Sequence, residues 1–554
     1  MDNLRLLLFF TLAFILLLLW QAWEKDYGQP PEQTVSAEAP AGTSTPAAEV
    51  PGTPAKQTTP AGVQPVPAAA PVKAASGGSP RIEVVTDLYT LQIDTRGGNV
   101  VNLLLNQYPV SLEEKEKKFQ LLRPEPPNLF ISQSGLIGSD KGDAPTHESQ
   151  YRAKQTSYRM QEGKDRLVVE LEWSNEAGVQ VTKRFTFRRG TYLVTVSHEV
   201  KNGSGAAWSG REYRQLLRGK PSKREGDAKF IYTYTGGAIY SPEEKYEKIK
   251  FDDMEETPLS RDVKGGWIAM LQHYFLGAWI PPADETDHFY SNVLPGERYV
   301  LGAYTPAVTV PAGGSHTFSS GFLAGPKLQD ELEKIAPGLE LTVDYGWLTV
   351  IAKPIFWLMK QIHNVVGNWG WSIILLTLII KLAFFKLSET SYRSMANMRK
   401  MTPRIQALKD RYGDDKQRLN QAMMELYKKE KINPLGGCLP IVVQIPVFIA
   451  LYWVLLEAVE LRQAPFIFWI QDLSIKDPYF VLPVIMGVSM FIQQKLNPAP
   501  PDPMQAKLMM ALPFVFTIFF AFFPAGLVLY WVTNNILSIS QQWYITRQIE
   551  KASS

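Results

Sequence analysis

Cysteine is nearly missing. Cys438 stands alone, so the chain cannot close an intramolecular disulfide. It follows Gly436-Gly437 at the start of an apolar segment and reads as a small buried residue rather than a nucleophile. Histidine is scarce as well: six are present, none clustered, so no metal centre and no cofactor is expected. There is no His-Glu-x-x-His helix, no Gly-x-Ser-x-Gly elbow and no phosphate-binding P-loop, which leaves an enzyme reading without catalytic residues. A formal net charge of only +3 speaks against nucleic acid as a direct partner. Internal repeats are lacking, and the apolar segments carry no acidic residue away from their ends, which argues against a secondary transporter.

What the chain does have is uncharged length, concentrated in its last third. Trp369 to Phe385 is mainly apolar and carries one charge, Lys381, with Thr377 one turn before it. Pro434 to Leu456 runs 23 residues without charge, and Pro478 to Gln494 runs 17. Leu508 to Thr546 is uncharged for 39 residues, about two bilayer crossings, and breaks at Pro524-Ala-Gly526. These are five spans. Leu6 to Trp23 is a sixth, and its Trp20 and Trp23 resemble an interfacial anchor more than a cleavage site.

Pro, Ala, Thr, Ser and Gly dominate residues 29–80, a composition too poor in apolar surface to offset the entropy of ordering. Beyond it the period changes to two. Tyr89, Leu91 and Ile93 alternate with polar residues, as do Val169, Leu171 and Trp173, and then Tyr192, Val194, Val196, His198 and Val200. Such strands, punctuated by Gly and Asn turns, predict an all-β sandwich. The expected fold is a polytopic α-helical membrane protein with six spans and a five-helix core, plus that sandwich and a helical hairpin. Its segments are a first membrane helix (1–25), a tether (26–80), the sandwich (81–327) and amphipathic interfacial helices (328–365). Spans then follow at 366–387, 433–458, 478–495, 507–523 and 525–546, with the hairpin at 388–432 and a short tail at 547–554.

Loop charges set the orientation. Lys386 to Lys431 carries 12 basic and 6 acidic residues, whereas Glu457 to Asp477 carries two and four. The positive-inside rule places the first loop and both termini in the cytoplasm and the sandwich outside, which in a bacterium is the periplasm. Within the basic loop, Met395, Met398, Ile405 and Leu408 form one stripe and Leu419, Met423 and Leu426 another, with Asp414 as expected N-cap of the second helix. The pair reads as an antiparallel hairpin with its own apolar seam, and its Met-rich, basic surface also suits apolar nascent chains.

Lys381 is the one charge inside the five-helix core. Ionisable groups at membrane depth are costly and usually face an interior or a water-filled cavity. Snorkelling is the competing account: Lys386 lies five residues on, about 7.5 Å along a helix, so the ammonium could reach the interface. Alone, the residue does not choose between them. Thr377 shares its helix face, however, and Gln444 enters on the next span. Asn534, Asn535, Ser538, Gln541 and Gln542 occupy the middle and inner part of the last. The plain explanation is scattered hydrogen bonding between helices. Convergence of several polar helices on one cation favours a hydrated cavity, open inward and closed outward. Such a cavity draws acidic or polar segments from the cytoplasm, with hydrophobic burial and the membrane potential as the driving forces.

The stretches Gly367-Asn-Trp-Gly370, Asn433-Pro-Leu-Gly-Gly-Cys-Leu-Pro440, Asp477-Pro-Tyr479, Asp502-Pro-Met504 and Phe523-Pro-Ala-Gly-Leu-Val-Leu-Tyr530 resemble the YidC/Oxa/Alb insertase family. So do Gly413-Asp-Asp-Lys-Gln417 and Val459-Glu-Leu-Arg-Gln-Ala-Pro-Phe466. The layout is similar to the proteobacterial branch, with an extra first helix and a large periplasmic domain of the sugar-mutarotase type. The resemblance implies an inner-membrane insertase and folding chaperone, not an enzyme. Its expected partners are nascent membrane proteins, membrane lipids, the Sec translocon and, with a tail this short, only weakly the ribosome. It implies that Lys381 holds the groove's positive position, where bacterial relatives usually carry Arg, so the charge carries over but the planar fork does not. It also implies Tyr530 and Trp531 as aromatics beside the groove, and Phe448 and Met486 on a hydrophobic slide; Thr377, Gln444, Asn534 and Ser538 are groove candidates by their polarity and depth.

Overall fold

A computed structural model describes residues 79–140, 142–221, 233–413, 415–430, 439–497 and 503–553. The expected first helix, the tether up to residue 78 and Cys438 lie outside the described residues.

The period-two segments are strands. In Tyr89–Asp94 the apolar Tyr89, Leu91 and Ile93 are buried while the residues between them are half-buried. Leu193–Asn202 repeats the pattern, with Val194, Val196, His198 and Val200 inward. Strong alternation fixes register, because a slip by one residue would turn the apolar set to water. Among the described residues, one sheet has eleven strands. Its main path runs Ser260–Lys264, Thr286–Leu294, Arg298–Tyr304, Trp208–Gly219, Phe130–Gly138, Asn99–Pro109, Tyr89–Asp94, Arg81–Val85 and Ser157–Arg159. The other has nine, from Lys245–Ile249 through Gly236–Ser241, Trp267–Gln272, Phe275–Ile280, Ser315–Pro326, Leu193–Asn202, Val179–Arg188 and Arg166–Ser174 to Arg152–Ala153. Val84 and Leu91 of the first share a core with Val194 and Phe322 of the second, so the inner faces meet as a sandwich.

Helices follow. Within and after the sandwich come α1 (Phe251–Glu256), α2 (Gln329–Ile335) and α3 (Thr349–Val366). Gly367 ends α3 in the left-handed region at φ 67°, and Asn368 then caps α4 (Trp369–Ala383) by accepting from Trp371 N at 3.1 Å. Next are α5 (Phe385–Lys400), α6 (Thr402–Tyr412), α7 (Lys416–Lys429) and α8 (Leu439–Glu457). The series ends with α9 (Val481–Leu496), α10 (Pro503–Phe520) and α11 (Ala525–Ser553), the last running on through the expected tail. Among the described residues no single helix is long and apolar enough to cross a membrane by itself.

Among the described residues the chain divides into two compact units. One contains Lys386–Pro440 and Gln542–Ser554, the other the sandwich with the helices up to Phe385 and Ile441–Gln541. In the first, Met401, Ile405 and Met423 form a buried seam flanked by Leu408, Leu419, Leu426 and Tyr427. Asp415 accepts from Gln417 N and Arg418 N and so starts α7; the expected N-cap, Asp414, lies outside the described residues. In the second unit, α3 buries Ala352, Phe356 and Met359 against the core while Trp347, just before it, and Trp357 stay 81% and 62% exposed.

Candidate functional site

Lys381 sits in the last turn of α4, where the helix dipole favours a cation. It is only 4% exposed. Its Nζ donates to Ser538 Oγ on α11 at 2.7 Å and to Gln444 Oε1 on α8 at 3.4 Å. Three helices thus meet at one ammonium. No carboxylate among the described residues lies within ion-pair distance of it, so uncharged oxygens carry its solvation. The Lys381 carbonyl is one of the last four in α4 and has no partner inside the helix. Gln541 Nε2 donates to it at 3.4 Å and ties α11 to α4 a second time.

The other expected groove residues fall into two groups. Ser538 and Gln444 touch Lys381, and Ser538 also donates to the carbonyl of Asn534 at 2.7 Å. Thr377 is buried but directs its hydroxyl to Ile373 O of its own helix at 2.6 Å. Tyr530 and Trp531 instead surround Phe448: Tyr530 stacks on it at 5.7 Å, and Trp531 meets it edge-on at 4.5 Å. Phe520 of α10 packs against Trp531 at 4.7 Å. Met486 is fully buried in α9. The exposed face of α9 is formed by Val484, Ile485, Val488 and Ile492, and that of α10 includes Leu508, Phe514, Val515 and Ile518.

One contact escaped sequence reading. Asn535 Nδ2 donates to Ser489 Oγ at 3.0 Å, and Ser489 Oγ donates in turn to Met486 O at 2.7 Å. Ser489 is the lone polar residue in the run Val481–Ile492, which was the signal available. Buried amide–hydroxyl contacts of this kind join helices where lipid supplies no hydrophobic drive.

Comparison with known proteins now decides the family. Residues 81–358 match the YidC periplasmic domain, and residues 361–552 match the 60Kd inner membrane protein family. The membrane protein insertase YidC of Methylococcus capsulatus is 55% identical over 100% of this chain and 99% of its own length. That of Thioalkalivibrio sulfidiphilus is 54% identical with the same coverage. The chain belongs to the YidC family of membrane protein insertases. The sandwich is therefore the YidC periplasmic domain, and the helices after it are the inner-membrane part. Among solved structures, an active YidC insertase with its first transmembrane domain resolved aligns with 84% of this chain and 93% of its own, at 18% identity and TM-score 0.39. The family assignment rests on the sequences.

Proposed function

We propose that the chain moves hydrophobic segments of nascent proteins from the cytoplasm into the inner membrane through a positive groove centred on Lys381. The observation that carries this reading is a buried ammonium held by Ser538 and Gln444, with no carboxylate beside it among the described residues. An uncompensated cation at membrane depth is a standing attraction for acidic or polar passenger groups. Thr377, Asn534, Tyr530 and Trp531 line the groove in this reading. Phe448 and the exposed faces of α9 and α10 receive the passenger's apolar part, with Met486 as packing behind them. The topology proposed is six spans, both termini in the cytoplasm, with the basic hairpin inside and the sandwich in the periplasm. Loop charge supports it, at 12 basic against 6 acidic residues between Lys386 and Lys431. The proposed partners are nascent membrane proteins, membrane lipids, the Sec translocon and the ribosome. The same groove would assist folding of clients.

Reconstitution of the pure protein into liposomes with a small single- or double-spanning client tests the proposal. Insertion above that of empty liposomes is expected; no stimulation would remove it.

A further inference from the structure

The sandwich touches the membrane part at the outer end of α8, the helix that carries Gln444 and Phe448. Lys327 follows the last strand, Ser315–Pro326, and is 3% exposed; Glu457, the final residue of α8, is equally buried. Lys327 Nζ lies 3.2 Å from Glu457 Oε2 and donates to Thr342 O at 3.2 Å. Its backbone N–H bonds Tyr274 O at 2.9 Å, so the lysine is held at both ends. One residue before Glu457, the carbonyl of Leu456 lacks an intrahelical partner because the helix is ending. His273 Nε2 donates to it at 2.9 Å. Burial pushes the His273 imidazole down to about 3, so the ring is a neutral N–H donor throughout the physiological range. Just beyond α8, Arg462 Nη2 donates to Pro109 O at 2.6 Å and Val110 O at 3.1 Å, and Gln463 Nε2 to Pro109 O at 3.0 Å. The Arg462 guanidinium also lies 5.8 Å from the centres of the Phe119 and Phe275 rings.

We propose that Lys327, His273 and Arg462 form a brace through which the periplasmic sandwich positions α8, and that Glu457 is the residue the brace grips. A buried ion pair is a costly way to gain stability, because desolvation offsets most of the attraction. It is a selective way to specify one arrangement, because removing either partner strands a buried charge. What the brace specifies is the outer half of α8. Pro446 interrupts the hydrogen-bond ladder of this helix between Gln444 and Phe448. The segment beyond it holds Phe448 against Tyr530 and Trp531 of α11, so the set of α8 at Glu457 is passed to the aromatic wall beside the groove. Lys327 and Glu457 are positioning residues; neither touches the passenger. The inference rests on the groove reading and adds that the sandwich takes part in insertion by holding one groove helix in place.

The test uses the full chain in liposomes. Spin labels at Val447→Cys on α8, half-buried and beyond Pro446, and at the exposed Ile536→Cys on α11 report the spacing of the outer segment of α8 from α11 in a Cys438→Ser background. Lys327→Met and Glu457→Gln are each expected to broaden that distance distribution and to slow client insertion several-fold. Lys327→Met with Glu457→Leu together removes both charges while keeping bulk, and is expected to return spacing and insertion close to wild type. An unchanged distribution in the single variants, with or without slower insertion, overturns the brace; so does a double variant as impaired as the singles. If a single variant does not fold, the double decides alone, and altered spacing in it overturns the inference. Lys381→Glu in the same liposomes probes the groove with the brace intact. Loss of the groove reading there is separable from loss of the brace, which the label distances read directly.

Discussion

At the residue scale, buried polar side chains mark where this protein spends stability on arrangement. Lys183 is fully buried in the sandwich and donates to Gly97 O and Ser134 O, each at 2.9 Å. Burial pushes its ammonium down to about 7 from 10.5. The folded chain therefore holds fewer protons than the unfolded chain between those two values, and stability from this group rises with pH across that window and is flat below it. The sandwich transition of the full chain is expected to move to higher temperature from pH 7 to 9, relative to that of Lys183→Met. Parallel pH profiles would contradict this. Asp477 is a second case. Its carboxylate accepts from Trp469 Nε1 at 2.9 Å, Tyr479 N at 3.0 Å and Leu482 N at 2.8 Å, and so fastens the outer loop to the start of α9. Asp477→Ala leaves these donors unpaired and should cost about 1–3 kcal/mol locally. Faster amide exchange at Tyr479 and Leu482, with the sandwich unchanged, is the expected sign.

At the scale of elements, close packing of α9 on α10 depends on Gly487, where a Cβ would stand 1.9 Å from Thr517 Oγ1. Small residues let membrane helices approach, and a larger side chain must part them. Gly487→Leu is expected to separate α9 from α10 and reduce insertion at least several-fold, whereas Ser489→Ala should remove the Asn535 contact and the bond to Met486 O while leaving α9 packed on α10. Crosslinking between the two helices measures this. Much of the element pattern was legible in the chain itself. Alternation at Tyr89, Leu91 and Ile93 marks a strand with one buried face, and of the two stripes expected in the hairpin, Ile405, Leu408, Leu419, Met423 and Leu426 lie in or beside its seam while Met395 and Met398 sit on α5 before it. Asp415, the neighbour of the expected cap, holds the first amides of α7, because an Asp side chain accepts readily from N–H groups two and three residues on. In the proposed groove, spacing put Thr377 on the face of Lys381 but could not show that its hydroxyl turns to its own helix. Depth along a helix is readable from sequence; rotation about it and rotamer are set by neighbours. Met486 shows the same limit, because a greasy residue in a greasy helix carries no sign of which side faces lipid.

For the whole molecule, the proposed topology gives the sandwich, the membrane helices and the basic hairpin separate parts of the work of insertion. In the proposed account the hairpin offers cations and a Met-lined seam, the groove one buried ammonium, and the sandwich a grip on the end of the helix that carries Gln444. Neither a nucleotide nor a catalytic group enters this account, because burial of the passenger supplies the free energy. Its central claim is electrostatic: the charge at 381 matters, not the shape of the group that bears it. The most direct measurement compares wild type, Lys381→Arg and Lys381→Glu in liposomes on two clients that differ only in acidic residues of the translocated segment. The account predicts that Lys381→Arg inserts both clients at the wild-type rate, and that Lys381→Glu inserts the neutral client but loses at least several-fold on the acidic one. Equal insertion of the acidic client by Lys381→Glu and wild type would contradict it.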